Sequence, residues 1–180
     1  TPANLFVAGF IGSPAMNLVE ATLSADDGHL AVEFGGTRLR VDDEARRRRP
    51  GLAAFEGRTV VLGIRPEDME DAALSGEAPA ERRMRVTVDV REAMGSEVYV
   101  HFGVPAPPVV TEDTRELAAD AGEDAVEELE ERAGARTSSF VGRLHARTSA
   151  REREPLEIVV DTRNLHFFDP ATGRGVYEVA

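Results

Sequence analysis

The side chains that carry most protein chemistry are scarce in this sequence. Cysteine is absent and all 21 basic residues are arginine, since there is no lysine. Without thiolates there is no cysteine nucleophile and no cysteine zinc site. Without lysine there is no phosphate-binding loop of the Walker type, which needs a lysine to reach the terminal phosphates. No serine lies in the Gly-x-Ser-x-Gly context of a hydrolase nucleophile. His29, His101, His145 and His166 lie too far apart to form a local metal-ligand motif. Each reads as an ordinary surface or hydrogen-bonded imidazole. Arg46–Arg49 is the one basic run. It follows Asp42, Asp43 and Glu44, precedes Pro50-Gly51 and has no adjoining aromatic, so it reads as a solvated turn with local charge compensation rather than a nucleic-acid groove.

Charge narrows the partners. The 180 residues carry a net charge of −12, which opposes attraction to a nucleic-acid backbone. Between Thr111 and Ala135 there are ten acids and two arginines, so −8 falls in that stretch and −4 elsewhere. Leu117, Ala121, Ala125 and Leu129 recur there at helical spacing, which predicts an exposed amphipathic helix. No apolar run approaches the roughly 20 residues that a bilayer span requires. The first residues lack the basic stretch and apolar core of a secretory signal.

Short strands must position whatever chemistry there is. Leu30, Val32 and Phe34 alternate, Gly35-Gly36 offers a permissive turn, and Leu39 and Val41 continue the pattern, which predicts a hairpin. Further strands are expected over 18–23, 59–64, 84–90, 98–102, 140–144 and 156–160. Met84, Val86, Val88 and Val90 are expected on one face, with Arg85, Thr87, Asp89 and Arg91 on a wet one. Ser75 to Arg83 reads as a surface connection between two halves of the domain. The expected fold is one compact, mainly β domain, a barrel or a sandwich.

Four segments carry a family resemblance. Pro2 to Asn17 (PANLFVAGFIGSPAMN), Leu62 to Asp68 (LGIRPED), Gly95 to His101 (GSEVYVH) and Val160 to Gly173 (VDTRNLHFFDPATG) occur in the order found in maltose-type sugar-importer ATPases. The likeness spans Thr1 to about Tyr177. It is interrupted by an acidic insertion at about 105–137 that resembles actinobacterial versions of the family. Residues 1–17 resemble the exit helix and hinge that follow the nucleotide-binding domain, and 18–177 resemble the OB-like TOBE regulatory barrel. Phe6, Phe10 and Ile11 could bury one face of that helix, which Gly12 to Pro14 would end. In Arg65-Pro66-Glu67-Asp68, Pro66 can open a helical turn with both acids near its positive end.

The resemblance implies a regulatory and dimerisation domain without catalytic residues, cofactor or metal of its own. ATP and magnesium would belong to a nucleotide-binding domain preceding this chain. Partners implied are a second copy, the transporter's membrane subunits reached through the ATPase domain, and a regulatory protein, with the complex on the cytoplasmic face of the membrane. Gly95, Ser96, Glu97, His166, Phe168 and Asp169 are the expected dimer or regulator contacts, and Arg65, Pro66, Glu67 and Asp68 the structural motif. The alternatives are an oxyanion-sensing domain using Arg65 or the arginine run, and a nucleic-acid-binding barrel disfavoured by charge.

Overall fold

A computed structural model describes residue 5 and residues 14–26, 28–110 and 134–177. Most of the expected exit helix and the acidic helix fall outside them. Among the described residues ten strands form two five-stranded sheets, ordered β10-β4-β1-β2-β3 and β5-β9-β6-β7-β8. The first contains β1 (Asn17–Asp26), β2 (His29–Phe34), β3 (Thr37–Arg40), β4 (Thr59–Ile64) and the returning β10 (His166–Phe168). The second contains β5 (Met69–Asp71), β6 (Arg83–Met94), β7 (Glu97–Val104), β8 (Ser138–His145) and β9 (Pro155–Val160). Every named strand pairing is antiparallel.

The expected hairpin forms with Phe34 opposite Thr37. Gly35 and Gly36 both have positive φ, and a Cβ on Gly35 would lie 2.9 Å from the Val104 side chain. Glycine therefore serves both the turn and a close approach by β7. Strand β6 alternates as expected only through Val88. A bulge between Val88 and Val90 changes the register, and Val90 is 47% exposed rather than inward-facing. Ser75 to Arg83 does lie largely on the surface, but it joins β5 to β6 within one sheet. The passage between sheets occurs instead at Arg65 to Asp68.

One apolar core lies across both sheets, containing Leu62 and Ile64 from the first and Val100, Phe102 and Phe140 from the second. Phe34 of β2 stacks on Phe140 of β8 at 6.4 Å between ring centroids. Asn17, 5% exposed, adds a polar tie. Its amide donates to the carbonyls of Ile64 (3.0 Å) and Val141 (2.9 Å), and its Oδ1 accepts from the Val141 amide at 2.7 Å. A side chain at the start of β1 thus completes a backbone pairing with β8. On the other face of β4, Leu5, Val61 and Phe168 form a second apolar cluster, with Met16, Leu18 and Val109 packed against it.

Candidate functional site

Proline begins the local geometry. Strand β4 ends at Ile64, Arg65 is extended, and Pro66–Asp68 form a single 3-10 turn, as the sequence predicts. Proline suits a first helical position because its missing N–H needs no acceptor there. The Asp161 amide then donates to the Asp68 carbonyl at 2.8 Å, and Asn164 Nδ2 donates to Asp68 Oδ1 at 3.0 Å. Asp68 Oδ2 is buried with no hydrogen-bond partner among the described residues. Burial, reinforced by Glu67 and Asp161, raises the Asp68 carboxyl above its usual range against the Asn164 hydrogen bond and Arg65.

The second part of the site is the β6–β7 turn. Met94 pairs with Glu97, leaving Gly95 and Ser96 as the connection, and Gly95 takes φ 74°. The Ala146 amide donates to the Ser96 carbonyl, and Arg143 lies 3.4 Å from the Glu97 carboxylate. These two parts meet. Glu67 and Asp68 share an open groove of about 720 Å³ with Ser96 and Glu97, floored by residues that include Leu144 and Val160. Arg82, Arg143, Arg163, Asp161, Glu70 and Glu77 complete its charged wall.

Most of that charge is already matched. Arg82 lies 2.7 Å from Asp42, and Arg163 lies 2.7 Å from Asp161. Arg163's hydrogen bond, more than the opposing burial, holds the Asp161 carboxyl below its usual range, and the same contact raises the guanidinium. Glu70 accepts from the His145 amide. Among the described residues no group of three His, Cys, Asp or Glu is placed to hold a metal. The arrangement offers hydrogen bonds and charge to a surface laid across it, with no nucleophile beside a base.

The other expected contacts lie elsewhere. Phe168 is fully buried against β4 and His166 is 6% exposed, so neither forms part of the chain's own surface. The expectation of an ordinary hydrogen-bonded or surface His166 is overturned, because its Nδ1 is buried with no hydrogen-bond partner among the described residues. Burial, then the positive charges of Arg65 and Arg49, push its pKa down to about 4. Asp169 has a local structural task, accepting from the Ala171 amide and the Thr172 hydroxyl to hold the closing turn. Leu5 donates its amide to Gly173 in that turn. Sequence reasoning missed Arg82 and Arg143 in the groove. In sequence, Asp161, Arg163 and Asn164 stand only within the segment that resembles a closing strand and turn. An Asp-x-x-Asn tetrapeptide that ties off a turn is a readable signal, but its meeting with Asp68 depends on the crossing between sheets.

The arginine run is also corrected. Arg46 and Arg47 belong to a one-turn helix, Asp43–Arg47, capped at its start by Asp42 Oδ1, which accepts from the Glu44 amide at 2.9 Å. Arg49 is not solvated: it is 5% exposed, with its guanidinium carbon 5.9 Å from the Phe167 ring and 5.7 Å from the Tyr177 ring.

Comparison with known proteins fits this geometry. The MalK OB fold domain matches residues 12–69 and the TOBE domain matches residues 62–128. The two matches overlap where the chain passes between its sheets. The chain is 33% identical to the trehalose/maltose import ATP-binding protein MalK of Thermococcus litoralis, over 98% of this chain and 38% of that protein. It is 35% identical to the trehalose import ATP-binding protein SugC of Mycobacterium tuberculosis, over 96% of this chain and 40% of that protein. It is 31% identical to the sn-glycerol-3-phosphate import ATP-binding protein UgpC of Cereibacter sphaeroides, over 96% of this chain and 35% of that protein. The chain therefore spans well under half the length of these relatives. With both domain models matched in order and relatives of one type aligned along nearly its whole length, the chain belongs to the OB and TOBE regulatory-domain family of MalK-type sugar-importer ATP-binding subunits.

Proposed function

We propose that this chain is the non-catalytic regulatory and pairing part of the ATP-binding subunit of a carbohydrate importer. One observation carries the reading: the groove brings the Pro66–Asp68 turn together with the Gly95–Glu97 turn, and most of its charges are paired. Such a surface suits recognition of another protein surface, where matched charge sets orientation and partner choice more than raw affinity. Gly95, Ser96 and Glu97, with Glu67 and Asp68, are the contacts of this proposal. Paired copies would use the same patch twice about a two-fold axis. A regulatory protein seated there would bias which state of the importer is populated.

The rest of the reading concerns the longer protein. Its nucleotide-binding domain binds ATP with magnesium and hydrolyses the nucleotide, and that domain engages the membrane subunits on the cytoplasmic face. Among the described residues no helix is long and apolar enough to cross a membrane. Sedimentation equilibrium over a range of concentrations, without nucleotide, tests the pairing claim. A reversible dimer that Glu97→Arg weakens is the expected result. A monomer at every concentration, with the same groove intact, counts against pairing by this chain alone.

A further inference from the structure

The arginine run is the motif that the docking groove leaves unused. Arg46, Arg47 and Arg49 line a separate open pocket of about 390 Å³ with Asp43, Pro50 and Ala53, and none of these residues borders the groove. Its size falls within the range of small-molecule sites. Although the chain holds 33 acidic residues, no carboxylate pairs with any of Arg46–Arg49 among the described residues. Arg46 donates to the Gly28 carbonyl and Arg48 to the Arg163 carbonyl. The Arg47 side chain makes no hydrogen bond or ion pair with any described residue. The pocket's own acid is already engaged, since Asp43 lies 3.7 Å from Arg40 and 3.6 Å from His29.

Arg49 is the unusual member. A buried charge is normally paired, because removing it from water is costly. Here a guanidinium only 5% exposed has one long hydrogen bond, 3.4 Å to the Ala45 carbonyl, and a buried Nε with no partner among the described residues. The Phe167 and Tyr177 rings hold it in position without neutralising it. Burial lowers its pKa from the ordinary arginine value, Tyr177 opposes that shift and Arg48 adds to it. The cluster thus has surplus positive charge, an ordered buried arginine and an adjoining space.

We propose that this pocket binds a small phosphate-bearing molecule. Guanidinium groups present forked donors that match phosphate oxygens, and an anion supplies the counter-charge that Arg47 and Arg49 do not find among the described residues. The net charge of −12 repels extended polyanions and anionic membranes, which favours a small ligand over nucleic acid or lipid.

Isothermal titration of the 180-residue chain with sodium pyrophosphate at low salt is the test, with inorganic phosphate as competitor. Saturable one-to-one heat is expected, weakened roughly tenfold or more by Arg47→Glu. Arg47 is exposed, so that variant keeps its fold, whereas Arg49→Gln could fail through lost packing. Arg151→Glu makes the same charge change at a residue outside the pocket, on a side chain 76% exposed, and should bind as the parent does. Pyrophosphate should also raise the melting temperature of the parent and of Arg151→Glu but not of Arg47→Glu. Absence of saturable heat overturns the proposal. Equal weakening by both charge reversals also overturns it, by showing unspecific attraction. Binding of a Glu-rich peptide without binding of pyrophosphate overturns it in favour of a protein-docking surface.

Discussion

Strands β4 and β6 are both inner strands of five-stranded sheets, yet they live in different solvents. From Val60 to Ile64 every residue of β4 is buried, because the core covers one face and the Leu5, Val61 and Phe168 cluster covers the other. Strand β6 is buried on alternate residues as far as Val88, and its last six residues stand open apart from half-buried Arg91, with Met94 61% exposed. The first sheet is therefore an interior wall. The second has exposed strand ends, and the open groove takes Glu97 from the start of β7 and His145 from the end of β8. A doubly covered strand reads as a continuous apolar run and a half-wet one as an alternation, which is how the two differ in sequence.

That contrast can be broken most severely at Phe168. Phe168→Ala should cost about 3–5 kcal/mol by urea unfolding, whereas Met94→Ala should stay within about 0.5 kcal/mol. Near-equal effects would mean that β4 has no true second layer.

The next effect depends on pH. An unfolded histidine titrates near 6.5, but His166 in the fold titrates at about 4, so between those values the unfolded chain binds more protons. Its contribution is complete above pH 6.5 and is lost as pH falls towards 4, by an amount of order 3 kcal/mol. Asp68 works in the opposite direction, since its raised carboxyl favours the fold when protonated and that benefit is lost as pH rises through its folded pKa. His166→Gln should flatten the acid-side loss measured by thermal melting between pH 7 and 4. Asp68→Asn should leave that loss in place. An unchanged profile in His166→Gln would remove His166 as its cause.

A smaller change joins the sheets rather than contrasting them. Asn17→Ala leaves the Val141 amide without its acceptor and should cost about 1–3 kcal/mol. Exchange of the Val141 amide should accelerate more than that of its neighbours, and uniform acceleration would show that the tie is not local. The smallest effect is expected from excising residues 111–133. Val104 already pairs with Ser138, and the Ser138 hydroxyl donates to the Ala106 carbonyl at 2.8 Å. A short loop should leave the melting temperature nearly unchanged, while loss of cooperative unfolding would show that the segment supports the fold.

Much of this architecture is legible before any coordinates. Glycines 35 and 36 mark the hairpin, the apolar run at 59–64 marks β4, and Pro66 marks the turn after it. What escaped reading depends on distant partners. Strand β10 has only three residues and pairs with β4 beside Gly63, where a Cβ would meet the side chains of Met16, His166 and Phe168. Arg49 looks like its three neighbours in the run until Phe167 and Tyr177, more than 100 positions away, close over it. The groove has the same character: its two motifs were visible, but their meeting is a property of the crossing between sheets.

Asn17 carries a mechanical consequence. It is the first residue of β1, and its single amide group reaches β4 and β8 together. Tension arriving along the preceding chain is therefore shared between the two sheets at the point of entry, before it can travel down the ladder between β1 and β4. A pull applied at Asn17 should load β4 and β8 at once rather than the first sheet alone.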